Sequence, residues 1–241
     1  MDIFTAHPIV ERPAPSSVTY NLSTSHQTAI TLPPGSTWSS GLHWHERHTE
    51  YLRVVKGSVC VVLDGRMNIV TAPTAVGEET VEVEVGRYVR HEWFRADRGR
   101  KGKGEEVVVV ERTEPDDGEK SLFFWNLNGV VLEVAQAKKR WLVARRYSWF
   151  AGLACWVLDW MLWMRLMVIM RALDNFPVFW SFGEYIDLGR VSSALEWLIT
   201  HLVLEVVGFV GRGFGVWAVR RGFTPTELYK EWCRDHAKKV D

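Results

Sequence analysis

The chain has 241 residues and 47% hydrophobic content, with 29 Lys and Arg balanced by 29 Asp and Glu for a formal net charge of zero. That length holds one ordinary domain with an appended segment, or two small domains. Balanced, scattered charge gives no basic face for a polyanion, so nucleic acid is not an expected partner.

The N-terminal stretch, MDIFTAHPIVERPAP, is polar and broken by proline, without the apolar run of a cleaved secretory signal. Cys60, Cys155 and Cys233 are far apart and odd in number, and read as reduced thiols. Both features predict a cytoplasmic location. Gln27 to Leu32 reads as a strand running into the turn Pro33-Pro34-Gly35. Val59 to Leu63 is another, ending in Asp64-Gly65, a hairpin signal because both central turn positions need positive φ. Thr80 to Val85 alternates Val and Glu as a half-buried strand does. Gly99 to Gly104 is a loop, Val107 to Val110 a buried strand, and Pro115 to Gly118 a turn. Short antiparallel strands at this spacing predict a mainly β domain over residues 1–135, a sandwich or a double-sheet jelly-roll barrel.

The most informative run is His43 to Gly57, HWHERHTEYLRVVKG. On a strand alternate side chains share a face, so His43 and His45 point together while Trp44 points away. Two neutral imidazoles presented in this way suit one divalent metal. Glu50 follows the polar bend Glu46 to Thr49, and Leu52 and Val54 share its parity and should line the same interior, with Arg53 facing away. His48 is a spare imidazole in the bend, either a hydrogen-bond partner or general base near the metal, or a solvated loop residue.

This spacing matches the first motif of the cupin superfamily, H-x-H-x4-E-x6-G, at His43, His45, Glu50 and Gly57. For the second motif, G-x5-P-x-G-x2-H-x3-N, the candidate is the segment Gly86 to Arg95, which matches only at the histidine, His91. Gly86 stands in its proline position, Tyr88 in its glycine position and Arg95 in its asparagine position. Over residues 1–135 the chain resembles small single-barrel cupins, and the run from Glu111 to Phe124 resembles the barrel end of fungal cupin-domain oxidoreductases of polyketide pathways. The resemblance implies metal ligands at His43, His45, Glu50 and His91. It also implies redox chemistry on a small, largely apolar polyketide-type molecule in secondary-metabolite biosynthesis. Three imidazoles and one carboxylate leave a divalent ion open positions; iron(II) is favoured, with zinc and manganese as alternatives. The second expectation is a non-redox cupin: a Lewis-acid isomerase or cyclase, or a small-molecule binding protein.

Residues 136–241 change character to a hydrophobic α-helical extension. Basic residues at 138–140 and 145–146 introduce the apolar stretch Tyr147 to Met170, broken by Asp159 and Arg165. In it Trp149, Trp156, Trp160 and Trp163 form one helical stripe. A second stretch, Leu195 to Val210, carries His201 and Glu205, and a mildly acidic loop with Glu184 and Asp187 precedes it. Such stretches are long enough to cross a bilayer, yet each charge at mid-span costs about 2.5–3.5 kcal/mol. The extension therefore predicts a membrane hairpin, a helix pair lying on the cytoplasmic face of an internal membrane, or a helical appendage that packs on the barrel or on a second copy in a homodimer and hides the tryptophans there. Thr224 to Glu227 starts a short polar helix. A chain ending near Ala137 is expected to be a soluble barrel.

Overall fold

The computed structural model describes residues 7–14, 16–74, 80–98, 104–144, 149–181 and 190–237. The basic pair at 145–146, the acidic loop with Glu184 and Asp187, and all but Gly104 of the loop at 99–104 lie outside them.

Two antiparallel sheets make a double-sheet jelly roll. One has the order β1-β2-β3-β10-β5-β8 and the other β11-β4-β9-β6-β7. Their strands are β1 Ile9–Arg12, β2 Val18–Asn21, β3 Thr28–Leu32, β4 His43–Trp44, β5 Thr49–Lys56 and β6 Ser58–Leu63. Then come β7 Arg66–Thr71, β8 Glu82–Val85, β9 His91–Arg95, β10 Val107–Glu114 and, much later, β11 Phe176–Pro177. Alternation places Ile30, Leu32, Leu52, Val54 and Val109 of the first sheet in one core with Val59, Val61 and Trp93 of the second, all buried. Leu52 and Val54 share the buried face of β5 with Glu50, as their parity requires.

The turns follow their chemistry. Asp64 and Gly65 take φ of 45° and 80°, and join β6 to β7 as a tight hairpin. Gly57 has φ 75°, and a Cβ there would meet Val107 Cγ2 at 2.9 Å, so the β5–β6 corner admits no side chain. Tyr88, in the glycine position of the second cupin motif, keeps the glycine conformation at φ 65°.

Among the described residues the helices are α1 Glu119–Ala144 and α2 Trp149–Ala172 before β11, and α3 Arg190–Gly213 and α4 Thr226–Ala237 after it. Asp117 starts α1 by accepting the Glu119 N–H at 3.0 Å. The contacts divide the chain into two units, and the division expected at residue 135 falls inside α1. The barrel unit comprises His7–Ser121 and takes in Asp174–Thr200 as well. A chain ending near Ala137 lacks that second segment. β11 lies there and pairs with β4, Phe176 opposite Trp44 and Pro177 opposite His43, with the Trp44 and Phe176 rings stacked at 5.7 Å.

The helical unit comprises Leu122–Leu173 and His201–Asp241. Gly129 lets the Phe223 ring lie on α1, since a Cβ there would overlap the ring carbons. The charges that count against a bilayer span are paired within this unit. Lys138 pairs with Asp159, Arg165 with Glu133 at 2.7 Å and Arg171 with Glu205 at 2.5 Å.

Candidate metal centre

His43 and His91 face each other directly across the β4–β9 pair, and Glu50 projects inward from β5. His45 follows β4 at the start of the bend. The rings of His43 and His91 are 4.2 Å apart, those of His43 and His45 5.0 Å, and those of His45 and His91 5.2 Å. One donor atom from each of His43, His45, Glu50 and His91 lies within 4.8 Å of the others. All four side chains are buried, and His43, the most accessible, is 6% exposed.

Three backbone carbonyls fix the imidazole tautomers. His43 Nδ1 donates to Gly41 O at 2.7 Å, His45 Nδ1 to Asp174 O at 2.5 Å, and His91 Nδ1 to Val89 O at 2.9 Å. A neutral ring held in this way keeps its lone pair on Nε2. Burial, followed by the neighbouring imidazoles, holds the His43 pKa well below the usual histidine range. Burial lowers that of His45 too, so both stay neutral and able to ligate.

Two features show that this donor set fits a cation. His45 Nε2 is buried without a hydrogen-bond partner among the described residues, 3.7 Å from Glu50 Oε1. A native interior seldom leaves such an atom unsatisfied. In addition, His91 Nε2 lies 2.9 Å from Glu50 Oε2. A lone-pair nitrogen and a carboxylate oxygen approach this closely when a proton or a metal ion joins them.

Three residues that the sequence did not single out complete the surroundings. Lys120, one residue into α1, places its ammonium on Glu50 Oε1 and 2.8 Å from Glu111 Oε2. Glu111 also accepts the Trp93 indole N–H at 2.7 Å. Burial alone would raise the Glu50 pKa, but the Lys120 charge and the imidazole contacts hold it well below the usual carboxylate range. Burial raises the Glu111 pKa in spite of Lys120. Burial would lower the Lys120 pKa, but Glu111 and Glu50 outweigh it and keep the ammonium charged. Glu111 was findable, since it has the parity of buried Val107 and Val109 on β10. Lys120 and the third residue, Asp174, carry no local signal.

His48 is not a solvated loop residue. It is 3% exposed, with Nδ1 2.6 Å from Asp174 Oδ2 and Nε2 3.1 Å from Asp117 Oδ2. Burial alone would lower its pKa, but these two carboxylates push it up to about 9. The remaining departures from the second motif have structural roles. Arg95 is buried, donating to Leu32 O at 2.7 Å and bonded to Asp97 at 2.8 Å. Tyr88 donates its N–H to His45 O at 2.7 Å, behind the ligand strand.

No family model matches the sequence, and no curated protein matches it. Among solved structures the chain is similar to a cupin 2 domain-containing protein from Halorhodospira halophila. The two are 20% identical, the match covers 42% of this chain and 54% of that one, and the TM-score is 0.28. The match thus takes in about half of that protein. It is also similar to a predicted oxalate decarboxylase from Thermotoga maritima, at 16% identity over 47% of this chain and 97% of that one, TM-score 0.33. An oxalate oxidase is 22% identical over 36% of this chain and 40% of that one, TM-score 0.27.

Proposed function

We propose that the barrel unit is a metal-dependent oxidoreductase centre in which His43, His45, Glu50 and His91 hold a divalent ion, iron(II) before manganese or zinc. The observation that carries this reading is the fixed tautomer of all three imidazoles, with the buried and unpartnered His45 Nε2 beside Glu50. When bound, iron supplies Lewis acidity and a one-electron couple. The protein's own part is to hold the His43 and His45 imidazoles neutral and Glu50 ionised, with buried Leu52 and Val54 on the Glu50 face of β5 and buried Trp93 on the His91 face of β9. That aliphatic and aromatic surrounding suits a small, largely apolar substrate. The narrower class, a polyketide-type intermediate of secondary metabolism, rests on the resemblance of residues 111–124 and of the apolar helical extension.

A second reading is a non-redox cupin, a Lewis-acid isomerase or cyclase or a binding protein. The closed surroundings of the quartet and the Lys120 contact on Glu50 favour it. Metal analysis of the purified protein, followed by oxygen uptake with hydroxylated aromatic compounds, separates the two. Bound iron with substrate-dependent uptake is expected. Bound zinc without uptake supports the second reading, and a metal-free protein that takes up no metal removes the oxidoreductase and the Lewis-acid enzyme and leaves the binding protein.

We also propose that the extension rests on a lipid surface at the cytoplasmic face of a membrane. Gly152–Ala172 and Val191–Gly213 are long and apolar enough to cross a bilayer, each with mean hydropathy 1.6, and only 22% and 28% of them is buried. Trp156, Trp160 and Trp163 form an exposed stripe on α2, and Leu202, Val206 and Phe209 one on α3. Exposed tryptophan and phenylalanine at helical spacing, with Arg212 at the end of α3, suit the headgroup zone. The first half of α3 favours lying on the membrane over crossing it. Glu196 pairs with Arg90 at 2.6 Å and Thr200 donates to Pro177 O at 3.0 Å, bonds that hold this half on the barrel unit.

A further inference from the structure

Asp174 is 1% exposed, sits at φ 51° and bonds through its side chain to Glu46, Arg47 and His48 of the ligand bend. Aspartate tolerates that left-handed conformation better than most residues, because its short side chain bonds locally. Here it bonds to a segment far away in sequence. Oδ1 accepts the N–H groups of Glu46 at 3.0 Å and Arg47 at 3.2 Å. Oδ2 accepts those of Arg47 at 2.9 Å and His48 at 3.0 Å, and the His48 ring at 2.6 Å. Three consecutive amides thus cradle one carboxylate, an anion-holding nest closed by an imidazole. The backbone carbonyl of the same residue accepts the His45 Nδ1–H at 2.5 Å, across 129 residues of sequence. On its C-terminal side the chain runs into β11, and Val178 N–H donates to Leu42 O at 2.9 Å just before β4.

We propose that Asp174 is the positioning residue of the metal centre. Its side chain fixes the Glu46–His48 bend between His45 and Glu50, and its carbonyl, held in place by that same clamp, sets the His45 tautomer that leaves Nε2 for the ion. This rests on the metal-binding reading of the quartet and goes beyond it, because the barrel's first 121 residues then do not make a competent site by themselves. Replacing the carboxylate frees three amides and the Nδ1 side of His48 together, leaving His48 only its contact with Asp117. The bend loses its fixed shape, and the spacing of His45 from Glu50 with it. Outer partners of metal ligands commonly control affinity by about 10–100-fold through such orientation.

The test uses full-length protein, Co2+ as the probe and two variants. Asp174→Gly removes the carboxylate and is at ease at positive φ, and Asp174→Asn leaves one amide oxygen in place of two carboxylate oxygens. Co2+ affinity is expected to fall about 100-fold in the glycine variant and about tenfold in the asparagine variant, with a changed visible absorption of the bound ion. In metal-free protein, 15N shifts of the His45 ring should move from the Nδ1–H form toward a mixture of tautomers in the same order. Parent-like affinity and parent-like ring signals in both variants overturn the proposal. If the glycine variant does not fold, the asparagine variant decides, and an unchanged affinity there overturns it. A parent protein that binds no Co2+ defeats the metal reading instead, and the His45 ring signals then judge the hold of Asp174 separately.

Discussion

The barrel unit and the helical unit break the usual distribution of side chains in opposite directions. In the barrel, His43, His45, His48, Glu50, His91, Glu111 and Asp174 are all buried. In the helical unit a core that includes Phe124, Trp125, Ile169 and Leu204 is buried, yet other large apolar side chains face out, Trp156 at 65% and Phe209 at 73% exposure. Burying polar and charged groups is costly unless they are paired, and wide exposed apolar surface is rare on a monomer in water. Each unit therefore carries a cost that folding alone does not explain. The barrel offsets its own with hydrogen bonds and ion pairs that, within the quartet, leave His45 Nε2 without a partner among the described residues. The helical unit pairs Asp159, Arg165 and Glu205 with opposite charges and leaves Trp156, Trp160 and Trp163 exposed. The first arrangement fits an ion, the second a surface.

The sharpest way to break this contrast is to empty the quartet. His43→Ala or His45→Ala should abolish metal retention and leave the barrel folded, because each removes a donor atom and little core volume. Elemental analysis with circular dichroism checks both parts, and metal content equal to the parent's would show that the quartet is not the site. Next is Lys120→Met, which leaves Glu50 and Glu111 buried without their shared cation. A loss of about 3–5 kcal/mol in urea unfolding of the metal-free protein is expected. A much smaller loss would mean that these carboxylates are held by other groups.

On the helical side, Trp156→Ser with Trp160→Ser and Phe209→Ser should lower flotation with vesicles of phosphatidylcholine and phosphatidylserine by about tenfold or more, since each side chain contributes on the order of 1 kcal/mol of transfer. A lipid-free homodimer that buries these same residues would replace the membrane with a second copy. The smallest expected effect is on pH dependence. The His48 pKa is raised in the folded state to about 9. Its contribution to stability is then complete below an unfolded pKa of about 6.5 and lost as pH rises through about 9. Urea midpoints of the parent and His48→Gln should converge between those values, and parallel curves would rule out a charged His48.

Much of the site was legible because it is local. His43, His45 and Glu50 are brought together by strand periodicity and a short bend, and Gly57 is required by a corner its neighbours create. His91 was legible more faintly, as the one residue of the second motif that survives. Tyr88 shows why: its backbone keeps φ 65° without the glycine that would have advertised it. Glu111 could be reached through the alternation of β10, whereas the buried state of His48 could not, because both of its carboxylate partners lie far along the chain.

By itself the sequence determined the strand-rich first part, the faces of its strands, the histidine–glutamate quartet and the apolar helices that follow. These are properties of near neighbours, written in period and spacing. Tertiary structure alone decided that α1 delivers Lys120 to Glu50 and that Asp174 returns to hold His45. A carbonyl acceptor has no signature in sequence, since every residue carries one. Which carbonyl meets an imidazole is fixed only when two distant segments pack together.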